Sequence, residues 1–439
     1  MPDPTNLPGF PFPYRELAID KDGGFVEPGE PGRAADVVDG DVTDVLVISH
    51  GWNNDVTEAR ALYTALATNM ESVLRSNPPP SYGDRKLAVV GVVWPSKKFA
   101  DSDVVAGGAA AVGSGADADD IRAELDELAA FLDRPEATAA LERAKDLVDS
   151  LDSDPDAAAL VELVRGVLAE SDEERADPQD ASREFFVAKP AELLTSLERP
   201  VFVGPAIGSP PAGGAAGGAA GLVDALRARL RAARNLLNYA TYYEMKARAG
   251  AVGRGGVAEL LGELHTRPER VRVHLAGHSF GARVVSMAAL STSPAVPISS
   301  ISLLQAAFSH YSFATDWEGS KDGAFIKALA SDRLAGPMVL THTANDKAVG
   351  IAYAIASRVA GQVAASVGGP TDKYGGLGRN GALKTAGSTQ ATLLAATGSY
   401  ALGGHRVHNL LADKFVSDHG DVSSREIALA VLSAIAAEA

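Results

Sequence analysis

At 439 residues with 46% apolar side chains, the chain can bury a sizeable core, as one large α/β domain with an insertion or as two domains. It contains no cysteine, which excludes disulfides, thiolate nucleophiles and cysteine-built zinc sites. Its 40 basic against 56 acidic residues give a net charge of −16, which opposes phosphate backbones and argues against a nucleic-acid partner.

The opening residues, MPDPTNLPGFPFPYRE, lack a basic segment followed by an apolar one, and no apolar run reaches membrane-spanning length. A cytoplasmic protein without a membrane span is the expectation. Residues 14–27 predict two short strands around the turn pair Asp22 and Gly23. The apolar run Val45 to Ile48 has the composition of a strand buried on both faces, and it ends in His50, Gly51 and Trp52. Leu62, Leu66, Met70 and Val73 then share one helical face, with Asp55 and Glu58 spaced as a capping box. A second buried strand, LAVVGVVWPS from Leu87, ends at Trp94 and Pro95. The order strand, helix, strand implies a mostly parallel central sheet with flanking helices.

From about Asp101 the character changes. Between Asp101 and Pro200 stand 26 acidic and 9 basic residues, a charge of −17 that leaves the remainder of the chain near neutral. Ile121, Leu125, Leu128 and Leu132 form one apolar stripe at helical spacing; Leu141, Ala144, Val148 and Leu151 form another; Leu160, Val164, Val167 and Leu168 form a third. Residues 101–221 therefore read as an acidic helical insert between core halves 1–100 and 222–439. The insert closes in a Gly/Pro/Ala-rich connector, 204–221, whose flexibility suits a mobile lid or cap. The stripes are rich in alanine, so a solvated, partly disordered acidic segment or a partner surface stays open as a second reading.

After a long helical pattern and a second helix near Val257 to Leu264 comes VRVHLAGHSFGARVVSMAAL, residues 271–290, a strand-like half followed by a helix-like half. Ser279 sits at the join, in Gly277-His278-Ser279-Phe280-Gly281, a G-x-S-x-G pattern. A nucleophile on a sharp strand-to-helix turn needs a strained backbone and small neighbours two residues away on each side. Two further strand-like runs follow, ISSISLLQAAFSH and PMVLTHTAND, and Ser423 with Glu426 offers a capping box for the last helix. Residues 357–404 are rich in glycine and alanine and receive no clear assignment. Gly376, Gly378 and Gly381 match G-x-G-x-x-G, but no clear strand precedes them and no acidic residue stands at the distance a ribose requires, so no dinucleotide is expected.

A serine hydroxyl needs a base to take its proton, and the base needs a carboxylate to fix its tautomer. In parallel sheets such residues gather at the carboxyl ends of strands. Asp346 closes the run from Met338, and His419 lies in a glycine-containing loop before the last helix. Asp316, Asp413, Asp418 and Asp421 compete for the acid; His274 reads as a core histidine, and the side chain of His278 is expected to point away from the nucleophile's partner.

With these residues in the order Ser, Asp, His, the chain resembles the α/β-hydrolase superfamily, in particular lipase- and esterase-like serine hydrolases. Asp346 followed by Val349 matches its D-x-x-V, and His419 beside Gly420 matches its histidine before the final helix. The likeness covers most of the chain outside 101–221 and 357–404. It implies an α/β-hydrolase fold and a triad of Ser279, Asp346 and His419. The backbone N–H of Phe280, which opens the helix, would be one oxyanion donor, and similarity to lipases with an H-G-x loop makes Trp52 the second. His50, Gly51, Trp94 and His278 are expected near the substrate, a small or lipid-like acyl compound, with no metal or organic cofactor. A peptidase or an acyltransferase would use the same triad, and a non-catalytic binding or scaffold protein on this fold is the reading from another class.

Overall fold

The computed structural model describes residues 7–96, 104–105, 109–110, 117–168, 182–198, 219–267, 270–330, 332–349, 369–403 and 406–437. The chain forms two compact units, one of Met1–Lys97, Arg248–Val349 and Gly376–Ala439, the other of Lys98–Ala247 and Gly350–Gly375.

The first unit is an α/β fold on an eight-stranded sheet. Its strands are β1 (Tyr14–Ala18), β2 (Asp44–Ser49), β3 (Leu87–Val93), β4 (Arg272–His278), β5 (Ser300–Leu304), β6 (Met338–His342), β7 (Ser388–Thr392) and β8 (Val407–Leu411). They lie in the order β1-β3-β2-β4-β5-β6-β8-β7, and every neighbouring pair is parallel. Val45 through Ile48 are all buried, as a strand covered on both faces requires. The helices Val56–Ser76 and Arg425–Ala436 share a core with Leu46, Ile48, Val89 and Leu410, into which Leu66, Met70, Val73 and Ile427 project. Parallel strands present all their carboxyl ends on one edge, so the loops leaving β2, β4, β6 and β8 emerge side by side.

Two local expectations are corrected. Residues 14–27 do not form a hairpin: Tyr14–Ala18 lies along β3 from Tyr14 against Val89 onward, and only a single antiparallel bridge, Ile19 with Phe25, remains of the second strand. The full ladder with β3 satisfies more backbone groups than a two-strand ribbon at the surface would. The last helix begins at Arg425 and is capped by Ser424, not Ser423: the Ser424 hydroxyl accepts from the Ile427 N–H, and the Ser423 carbonyl accepts from the Asn69 side chain at 2.7 Å. The Asp55 and Glu58 box stands as the spacing predicts.

The second unit is helical over Ala118–Leu132, Pro135–Asp146, Asp154–Gly166, Ser182–Val187 and Pro190–Leu197. All three apolar stripes are buried. Several acidic side chains are answered by cations, Glu124 by Arg234 and Asp154 by Arg229 among them. Residues 169–181 and 199–218, with most of the expected connector, lie outside the described residues. Among the described residues, no helix is long and apolar enough to cross a membrane.

Candidate functional site

Ser279 occupies the turn between β4 and the helix Phe280–Ser291 with φ 57° and ψ −121°, a conformation that costs a non-glycine residue on the order of 1–3 kcal/mol. The surroundings hold it there. Its N–H donates to the Leu304 carbonyl at 3.0 Å, and its carbonyl accepts from the Ala307 N–H at 3.2 Å. The flanking glycines are obligatory: a Cβ on Gly277 would meet the Gly281 carbonyl oxygen at 2.3 Å, and one on Gly281 would meet that of Ser49 at 2.2 Å. This is the physical content of G-x-S-x-G.

Asp346 follows β6 and His419 follows β8, and both reach the serine. The His419 Nε2 stands 2.8 Å from the Ser279 hydroxyl, and its Nδ1 stands 2.8 Å from Asp346 Oδ2. Asp346 is fully buried, whereas Ser279 and His419 keep 4% and 7% of their surface. Asp346 Oδ1 accepts from the Val349 N–H at 2.9 Å, which leaves Oδ2 to the imidazole. With Nδ1–H directed at the carboxylate, the lone pair on Nε2 faces the serine and can accept its proton.

The two loops are tied to each other. Asp413 accepts from the Thr343 hydroxyl at 2.6 Å and from the Ala344 N–H at 2.9 Å, and Asn345 donates to the carbonyls of Asp413 and Val416. The competing acids are spent locally: Asp316 accepts from Ser320, Asp418 from Gly420, and Asp421 from Ser417.

His278 differs from expectation. Its ring turns toward the His419 loop, donating from Nε2 to the His419 carbonyl at 2.9 Å, with the two rings 4.9 Å apart. Burial, reinforced by the facing His419, lowers its ring to about 3 and keeps it neutral. The loop carrying His419 is thus gripped from the residue before Ser279 and from Asn345, the residue before Asp346. Pattern reading missed both grips, because neither sequence distance nor residue type announces them.

After β2, Gly51 approaches the serine so closely that a Cβ would stand 2.6 Å from Ser279 Cβ. That contact brings Trp52 beside the turn, its ring 6.1 Å from that of Phe280. His50 and Trp94 are fully or almost fully buried and support this loop from within. His50 donates from Nδ1 to the Gly51 carbonyl and accepts on Nε2 from the Trp94 N–H, while the Trp94 indole donates to the His50 carbonyl. Burial lowers His50 to about 4, consistent with a neutral structural ring. The Tyr63 hydroxyl completes the support: it accepts from the His50 N–H at 2.7 Å and donates to the Val92 carbonyl at 2.6 Å.

Comparison with protein-family models, with curated proteins and with solved structures gives no match. The α/β fold and the geometry above are what define this chain. Among the described residues, no three His, Asp or Glu side chains are grouped so as to hold a metal ion.

Proposed function

We propose that the protein is a serine hydrolase of the α/β-hydrolase type, cleaving carboxylic esters or related acyl substrates through an acyl-enzyme. One observation carries this reading: an unbroken hydrogen-bond chain, 2.8 Å at each link, from a strained serine through His419 to a buried carboxylate. In it, Ser279 Oγ bonds to the acyl carbon as its proton passes to His419 Nε2. Asp346 stabilises the imidazolium and holds its tautomer. The amides of Phe280, first in its helix, and of Trp52, beside Gly51, donate to the oxyanion. His419 then gives the proton to the departing alkoxide as the carbon–oxygen bond breaks. Water repeats the cycle: its proton goes to His419, its oxygen joins the acyl carbon, and the proton returns to Ser279 as the acid leaves. These steps use no metal or organic cofactor. A cytoplasmic setting and a small or lipid-like acyl substrate belong to the same proposal.

A fluorophosphonate probe should label the wild-type protein and leave Ser279→Ala unlabelled, and p-nitrophenyl esters from acetate to palmitate should be hydrolysed by the wild type alone. Equal labelling of the two proteins, or a wild type inert to probe and esters alike, would count against the reading.

A further inference from the structure

The G-x-G-x-x-G segment serves the protein's own backbone. A Cβ on Gly378 would meet the backbone carbon of Gln305 at 2.6 Å, and one on Gly381, at φ +76°, would meet Asn409 Oδ1 at 2.8 Å. The space a nucleotide phosphate would need is filled by neighbouring chain. The single helical turn these glycines permit, Leu377–Asn380, is stitched to two loops at the carboxyl edge of the sheet. The N–H groups of Leu377 and Gly378 donate to the carbonyls of Phe308 and Ala306, and the Gly378 carbonyl accepts from the Thr343 N–H at 2.9 Å. The turn also closes against the end of β6, since a Cβ on Gly381 would stand 3.2 Å from His342 Cδ2.

From this turn one side chain returns to the acid. The half-buried Arg379 guanidinium donates from Nη1 to the Ala344 carbonyl at 2.7 Å and to the Asp346 carbonyl at 3.3 Å, facing the carboxylates of Asp346 and Asp413. Asp413 takes the Thr343 hydroxyl and the Ala344 N–H, so the loop is pinned through its donors by an anion and through its carbonyls by a cation. We propose that Arg379 is a positioning residue for Asp346, and that the G-x-G-x-x-G turn is the bracket that fixes where this arginine stands. The inference rests on the triad reading above. Arg379 grips the main chain of Asp346 and leaves Oδ2 to His419, so it fixes the direction of the carboxylate while keeping it available. A rigid planar head suits two carbonyls at once better than a rotating ammonium does.

The test is Arg379→Met and Arg379→Lys in the full-length protein, read by steady-state ester hydrolysis, fluorophosphonate labelling rate and thermal melting. Arg379→Met should lose about 10- to 100-fold in kcat and labelling rate with KM within about threefold, the scale of a small misplacement at a reacting centre. Its melting temperature should stay close to wild type, and Arg379→Lys should fall between the two. A folded Arg379→Met with wild-type kcat, or with its loss confined to KM or to the unfolded fraction, overturns the inference. If the methionine variant does not fold, the lysine variant decides: kcat lowered at constant KM supports the assignment, and wild-type kcat overturns it. A wild type that takes no probe at Ser279 would sink the hydrolase reading itself, an outcome distinct from a labelled wild type matched by its variants.

Discussion

The central sheet carries two serine–histidine–aspartate strings, one at each end of its strands. At the amino ends, Ser300 Oγ stands 2.8 Å from His274 Nδ1, and His274 Nε2 stands 3.0 Å from Asp44 Oδ1. At the carboxyl ends, Ser279, His419 and Asp346 are joined at 2.8 Å at each link, within 0.2 Å of the other string. Residue types and distances do not tell the two apart. Their settings do. Ser300 is 1% exposed in an ordinary strand and is the direct ladder partner of His274, so nothing strains it and almost nothing reaches it. Asp44 is already claimed by Arg272 through both oxygens and by Arg85. Burial alone would raise its carboxyl, but hydrogen bonds from Arg272, His274 and Thr43 hold it well below the usual carboxylate range. A carboxylate neutralised by two arginines has little left for an imidazolium; Asp346 has its second oxygen reserved for His419. Three residues in contact are therefore only a framework; what sets the carboxyl-end string apart is the strained turn, a carboxylate oxygen that no arginine neutralises, and the neighbouring amides.

The sharpest way to break this contrast is to remove each hydroxyl. Ser279→Ala should lower kcat on the order of 10⁴- to 10⁶-fold, whereas Ser300→Ala should stay within about twofold of wild type in ester hydrolysis. Next come the carboxylates. Asp346→Asn should lose about 10³- to 10⁴-fold in kcat with an unchanged urea midpoint. Asp44→Asn should keep its kcat and lose about 2 kcal/mol of stability in urea titration, less than a fully buried pair would, because Arg272 is half exposed. A smaller effect tests the grip on the His419 loop: His278→Leu should reduce kcat roughly tenfold, and His278→Gln, which keeps a donor at similar reach, should restore most of it.

The remaining effect concerns stability in acid. His50 and His278 are held to about 4 and about 3 when folded, while an unfolded histidine titrates near ~6.5. As pH falls, the unfolded chain takes up these protons first, so the stability they contribute is complete above about 6.5 and is lost toward 3–4, at up to about 1.4 kcal/mol per pH unit for each ring. Melting temperature measured from pH 7.5 to 5 should decline, and less steeply in His278→Gln. A flat profile in the wild type would contradict the assignment of neutral buried rings.

Legibility from the sequence followed the range of the physics. The strand-to-helix turn at Ser279 and the box at Asp55 are written in five or fewer consecutive residues, and both stand as read. The stripes of the acidic helices are periodic over single elements, and they too are buried. The hairpin failed because Tyr14 chose Val89 as its neighbour, 75 positions away, over a local partner. The grips by His278, Asn345 and Arg379 all join segments far apart in the chain, and each is a side chain bonded to a main-chain carbonyl, an acceptor that every residue supplies. No sequence pattern can single out such an acceptor.

The Tyr63 hydroxyl, set between the His50 amide and the Val92 carbonyl, occupies the role that a trapped solvent molecule often fills in protein interiors. Being covalently tethered to its helix, it cannot exchange with bulk liquid. The loop that brings Trp52 beside the serine is therefore anchored by the chain itself, through a group that no solvent exchange can remove.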